Sequence, residues 1–223
     1  IVSSLTSNAS FANFVTNAIE LQTLGNSSRD LPWHELVHVM NYKYYHNIFG
    51  PAGAVLHLPW IPAWFLEGLA EALTSSISST YQASIERYQA LSGNWMSFDS
   101  MHNLYSPSSH TSGYGTAGAF VRWMLEQADD DILPKILSDT YRYTLPWYYV
   151  LSLNPLSSFM PVDQALINHI GAKASTLYKR YKEEARQYWL DQLKGKFFVG
   201  DIDQRILFNN VGLLVNENNN ILR

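Results

Sequence analysis

The chain has no cysteine in its 223 residues. That excludes disulfides and thiolate metal ligands, so a bound metal must rest on nitrogen and oxygen donors. The absence fits an oxidising compartment without demanding one. Charge is scarce as well. Asp, Glu, Lys and Arg make up 15% of the chain, against about a quarter in ordinary domains. A basic excess is also missing. The formal net charge is −4, which leaves no electrostatic case for nucleic acid. No apolar run reaches the length of about eighteen residues that a membrane span needs. No secretory leader pattern and no internal repeat is visible. The chain starts at Ile1 rather than Met, as expected of a piece of a longer protein, so a missing leader carries no information about location.

Apolar and aromatic residues, by contrast, are plentiful. Hydrophobic residues make up 47%, with 14 Tyr, 10 Phe and 7 Trp. The length suits one domain, or one domain with a fragment of another. With so few charges, this composition predicts a wide aromatic-lined surface for a polypeptide or a neighbouring domain.

Periodicity and punctuation predict a mainly helical α+β chain. A short β region is expected over 1–24. Helices are expected near 30–46, 62–76, 80–92, 114–128, 131–143, 161–170 and 173–194. Asp129-Asp130-Asp131 ends one helix and caps the next, and Pro134 sits in a first turn. Gly171 reads as a helix C-cap. The helix from 173 carries Leu177, Tyr181 and Tyr188 beside mixed charge, and is expected on the outside of the domain. After Gly195 the character changes. Segments 197–199, 206–208 and 211–215 read as short strands between Asn-rich turns. The division is therefore a main domain over 1–194 and a β segment over 195–223. That segment either packs back on the main domain or begins a downstream β domain. Asn8 and Asn26 fit the N-glycosylation pattern, which matters only in a secreted eukaryotic context.

The most informative segment is His34-Glu35-Leu36-Val37-His38, an H-E-x-x-H pattern inside a predicted helix. Four residues make a little over one turn, so both imidazoles project from one face. Two such imidazoles can hold a divalent metal, usually zinc, with the neighbouring Glu acting on water. Chance produces this pattern in roughly one such chain in a hundred, so a second signal is needed. It comes from Pro62-Ala63-Trp64-Phe65-Leu66-Glu67-Gly68-Leu69-Ala70-Glu71-Ala72-Leu73. Pro59 and Pro62 mark a helix start. The helix beyond is apolar nearly all round and so is expected to be buried. Yet it carries Glu67 and Glu71 on one face. A narrow solvent stripe is the plain explanation, because carboxylates are seldom buried unpaired. Beside an H-E-x-x-H helix, a shared metal site accounts for them better. The expected ligands are His34, His38 and Glu67, with a fourth position open. Three protein ligands rather than four point away from a structural zinc. Other divalent metals accept the same set.

These residues resemble a known family. H-E-L-V-H followed by P-A-W-F-L-E-G-L-A-E is similar to the gluzincin zinc metallopeptidases, and within them to the bacterial peptidase MA-like group. Three further segments are similar to it: Ala18–Gln22 as an edge strand, Tyr114–Met124 as a following helix, and 162–181 as a closing helix pair. The resemblance spans about residues 15–190. It implies a zincin-like (thermolysin-like) catalytic domain with a small N-terminal sheet. It implies one Zn2+ per chain, a polypeptide substrate, and an extracytoplasmic location, periplasmic or secreted, in a bacterium. It departs from the better-known members in the 28 residues between His38 and Glu67. The insert 41–61 is expected to be a loop over the site. Ala117 stands where the family more often has Gly. Nothing matches an element that recognises a free amino terminus, which favours an endopeptidase.

The expected mechanism uses Glu35 as general base toward a zinc-activated water. Tyr114 is the candidate for stabilising the oxyanion, with His110 and Tyr105 as rivals and plain packing as the alternative. Glu71 is expected to accept from the free nitrogen of a ligand His. The competing reading of Glu71 is a surface charge. Asn41 lies one turn beyond His38 and reads as a helix-end polar residue. His46, His57, His102 and His169 have no motif partner. Gly113-Tyr114-Gly115-Thr116-Ala117-Gly118 spells G-x-G-x-x-G, but a Ser-rich loop rather than a strand precedes it. A nucleotide site is therefore rejected, and the glycines are expected to let the loop turn into the helix. The rival to the enzyme is a zincin-like domain that binds a protein partner without cleaving it.

Overall fold

The computed structural model describes residues 11–13, 18–20, 31–45, 53, 61–74, 76–102, 104, 110–143, 161–194, 207–208, 214–215 and 221–222. Two strands come first, β1 (Phe11–Asn13) and β2 (Ala18–Glu20), paired antiparallel with Ala12 opposite Ile19. Eight helices follow among the described residues: α1 (Leu31–Tyr45), α2 (Ala63–Leu73), α3 (Ser76–Ser92), α4 (Phe98–Met101), α5 (His110–Glu126), α6 (Ile132–Tyr143), α7 (Pro161–Ile170) and α8 (Ala174–Leu193). A small antiparallel sheet closes the chain, in the order β3 (Leu207–Phe208), β4 (Leu214–Val215), β5 (Ile221–Leu222). The architecture is thus mainly helical with a small N-terminal sheet. No described helix is long and apolar enough to cross a membrane.

Helix α2 is buried over Trp64 to Ala70. Its backbone begins at Pro62, whose carbonyl accepts from the amides of Phe65 and Leu66 at 3.0 and 3.2 Å. Trp64, Phe65, Leu66 and Leu69 are all buried, and each such side chain contributes about 1.5–3 kcal/mol by leaving water. The carbonyls of its last turn lack partners within the helix. Three side chains supply them: Thr74 Oγ1 for Ala70, Gln82 Nε2 for Glu71 at 2.9 Å, and Arg122 Nη2 for Ala72 at 3.2 Å.

Helix α2 packs most extensively against α5. The close approach depends on glycine. A Cβ at Gly68 would lie 2.8 Å from the Ala117 backbone oxygen. One at Gly118 would lie 2.6 Å from Glu71 Cβ and 2.7 Å from Gln82 Nε2. This corrects the reading of the G-x-G-x-x-G glycines as a loop that turns into a helix. All three lie inside α5, which starts at His110 rather than near 114. Gly118 serves helix contact. Two other glycines do serve turns. Gly93 and Gly171 have φ of +72° and +83°, the left-handed conformation in which helices commonly end. The Gly171 amide bonds back to Leu166 and Ile167 at 3.0 and 3.1 Å.

Among the described residues, many of the aromatic side chains serve the core. Trp64, Phe98, Phe120, Trp123, Tyr178 and Tyr181 pack ring against ring, with centroids 5.2–6.2 Å apart in the contacts of Phe120 with its neighbours. They build the core, because large rings bury much area for few lost rotamers. Helix α8 lies as expected of an outer helix: Leu177, Tyr178 and Tyr181 are buried against the core, while Lys179, Arg180, Glu183 and Glu184 are exposed, as is Tyr188. Trp33, Met40 and Tyr44 do remain exposed, at 60%, 64% and 42%, on the outer face of α1. The short helix α4 was not foreseen. Ser97 caps it by accepting from the Ser100 amide at 3.1 Å.

Candidate metal centre

Helix α1 carries His34 and His38 one turn apart, and α2 packs beside it. Glu67 therefore meets both imidazoles. His34 Nε2 and Glu67 Oε2 are 3.3 Å apart, His38 Nε2 and Glu67 Oε2 are 3.2 Å apart, and the two Nε2 atoms are 3.2 Å apart. Four ligands at zinc distances of about 2.0–2.1 Å stand about 3.3–3.4 Å from one another in a tetrahedron. The triangle matches one face of it. His34, His38 and Glu67 form a group that could hold a metal ion.

The electrostatics point the same way. Glu71 Oε1 lies 3.3 Å from His34 Nδ1, so Nδ1–H donates to it and Nε2 keeps its lone pair. Nε2 of His34 then faces the other two donors. Three electron-rich atoms converging in a buried space repel unless a cation or a proton sits among them. In the metal-free chain the proton goes to His34. Burial opposes that charge, but the hydrogen bonds and negative charges of Glu67 and Glu71 outweigh it and raise the His34 pKa from 6.5 to about 9. Glu67 shifts the other way. Burial disfavours its charge, yet the bonds from His34 and His38 hold its carboxyl well below the usual range. Glu67 is 7% exposed, so it does not lie on a solvent stripe.

Glu35 is 5% exposed. Burial raises its pKa first of all, and Glu67 adds to that. His38, His34 and the Ala12 backbone amide of β1 pull it down without cancelling the rise. The amide contact gives the N-terminal hairpin a role: it fixes one end of the Glu35 carboxylate.

Two tyrosines flank the cluster. Tyr114 lies one turn inside α5 rather than at its start, and its ring stacks on His34 with centroids 6.4 Å apart. Burial and the carboxylates of Glu67, Glu71 and Glu35 push its pKa up, so its hydroxyl stays protonated. Tyr42 stacks on His38 at 6.1 Å. Burial and the charges of Glu67 and Glu35 raise its pKa to about 12. Tyr42 was missed from the sequence, although it lies four residues beyond His38 on the same face. Asn41 is buried at 4% exposure. His34, Glu35, His38, Glu67, Glu71 and Tyr114 are thus brought together. His110 is the first residue of α5, but its side chain, like all of Tyr105 and insert residues 46–52 and 54–60, lies outside the described residues. The insert's first residues, 41–45, are the last turn of α1 rather than loop.

A cavity of about 420 Å³ opens elsewhere, lined by Gln82, Glu86, Trp123, Tyr181, Glu184 and Tyr188 among others. None of the His34, Glu35, His38 and Glu67 side chains lines it, so it is not where their chemistry occurs. No family model, curated protein or solved structure matches this chain.

Proposed function

We propose that this chain is a zinc-dependent peptidase of the gluzincin type, with a zincin-like domain similar to the bacterial peptidase MA-like group. One observation carries the reading. Three buried donors from two helices converge at 3.2–3.3 Å, and a buried Glu35 with a raised pKa adjoins them. A purely structural metal site has no use for that extra carboxylate. Among the described residues only three ligands converge, which leaves a position for substrate or water, as catalytic sites require.

His34 Nε2, His38 Nε2 and Glu67 Oε2 would hold the metal. Zinc, when bound, supplies Lewis acidity toward a carbonyl and lowers the pKa of water toward neutrality. Glu71 accepts from His34 Nδ1–H and so fixes the tautomer that presents Nε2. Glu35 takes the proton of the attacking water on its carboxylate and passes it to the nitrogen of the leaving amine. Tyr114 keeps its hydroxyl proton and donates to the oxyanion of the tetrahedral intermediate. The substrate is a polypeptide, cut internally.

The test has two stages. Elemental analysis of wild type and Glu67→Ala should give about one zinc per chain for the wild type and little for the variant. Digestion of an unfolded protein by wild type and Glu35→Gln should then show hydrolysis only by the wild type, with zinc retained in both. A wild type that takes up no zinc overturns the metal site. Zinc bound without hydrolysis of any polypeptide overturns the peptidase and leaves a partner-binding domain.

A further inference from the structure

Gln82 lies on α3, outside both sequence motifs, and is 2% exposed. Its side-chain amide has two N–H groups, and Nε2 contacts one residue twice. It donates to the Glu71 backbone oxygen at 2.9 Å and to Glu71 Oε2 at 3.2 Å. The other carboxylate oxygen, Oε1, is the one 3.3 Å from His34 Nδ1. Glu71 thus bridges a buried amide and a metal-facing imidazole. Gly118 leaves the room for it, since a Cβ there would strike both Glu71 Cβ and Gln82 Nε2, at 2.6 and 2.7 Å.

We propose that Gln82 is a positioning residue for the metal centre: its amide clamps Glu71, and through Glu71 sets the orientation and tautomer of His34. This rests on the metal site proposed above. A glutamate side chain has three rotatable bonds, and a carboxylate held only by an imidazole could swing to solvent. Tying Oε2 and the main-chain oxygen to one amide leaves Oε1 a single direction. Partners of this kind, one step removed from a metal, typically govern affinity 10- to 100-fold. Gln82 stands one step further out, so a smaller effect of about 3- to 10-fold is expected.

The competing role is plain helix capping, through the Glu71 backbone oxygen alone. Capping is unaffected by the identity of side chain 71, and this separates the two. Zinc affinity is measured by chelator competition for wild type, Gln82→Met, Glu71→Ala and the double variant, with thermal midpoints of the metal-free forms alongside. The expected result is weaker zinc binding in Gln82→Met and no further loss when Gln82→Met is added to Glu71→Ala. Gln82→Met that binds zinc as tightly as wild type, even with a lowered midpoint, overturns the proposal and leaves a cap. Equal losses in both backgrounds also overturn it, because Gln82 would then act without Glu71. Should Gln82→Met not fold, Gln82→Glu keeps the shape while replacing the donor, and the same comparison applies. A wild type that binds no zinc is a different failure: it overturns the site itself, and this inference with it.

Discussion

Glu71 Oε1 lies 3.3 Å from Nδ1 of His34, while Glu67 faces the other nitrogen of the same ring. One imidazole therefore stands between two carboxylates from successive turns of α2. Glu67 faces the proposed metal position and Glu71 faces away from it. Their equal spacing in sequence conceals this difference in role.

Removing the outer carboxylate should weaken metal binding without abolishing it. Glu71→Ala is expected to lower zinc affinity by about 10- to 100-fold. Glu67→Ala, which removes a ligand, should cost more. Chelator competition on the two variants checks the order, and equal losses would contradict the assigned roles.

The metal-free chain should have a pH optimum of stability set by the same cluster. The His34 pKa is raised from 6.5 to about 9, so its stabilisation is complete below 6.5 and is lost as pH rises through 9. The Glu67 pKa is lowered from 4.5, so its stabilisation is present above 4.5 and is lost as pH falls through the depressed value. The cluster therefore contributes most between 4.5 and 6.5. Thermal midpoints of chelator-treated protein should fall between pH 6.5 and 9. Zinc uptake displaces the His34 proton, so over that range its apparent affinity should rise by about tenfold per pH unit. A flat affinity profile would mean that no proton is displaced.

Tyr114→Phe should reduce turnover by about 10²- to 10³-fold, the usual cost of one oxyanion donor. Zinc affinity should stay close to that of the wild type. Steady-state kinetics beside metal titration separate this from simple loss of packing. Unchanged turnover would return Tyr114 to the role of a stacking ring on His34.

Gly68→Ala should destabilise the fold. Alanine favours a helix interior by about 0.5–1 kcal/mol over glycine. The new methyl group, however, would lie 2.8 Å from a backbone oxygen of α5, which cannot rotate away. Overpacking of this kind costs about 1–3 kcal/mol, so the net effect should be a loss of up to about 2.5 kcal/mol. For a chain of this size that lowers the thermal midpoint by about 2–4 °C per kcal/mol. A midpoint at or above that of the wild type would mean that α2 and α5 approach less closely.

Much of the candidate site was legible because it is written in local spacing. His34 with His38, and Glu67 with Glu71, share helix faces by the geometry of 3.6 residues per turn. The helix of Glu67 declared itself by its apolar surround. Proline before α2 and glycine after α7 marked helix ends for reasons of backbone sterics alone. Tyr42 carried the same four-residue signal and was passed over because its ring has no fixed role in an H-E-x-x-H pattern. Gln82 carried no local signal, since its partner lies eleven residues back on another helix. The core aromatics could not be singled out, because composition counts rings without saying which side of a helix they occupy.

The sequence by itself determined most of the helices, the shared faces and the donor chemistry. The chain has no thiolate to offer, and each motif orders its own nitrogen and oxygen donors along one helix. Only the tertiary structure decided that the two motifs meet. Gly68 and Gly118 bring α2 against α5, α1 packs on α2, and the three donors then stand 3.2–3.3 Å apart. The physical reason is range. Spacing along one helix is fixed by backbone geometry, whereas the distance between helices is fixed by which small residues face which backbone, and those partners lie far apart in the chain.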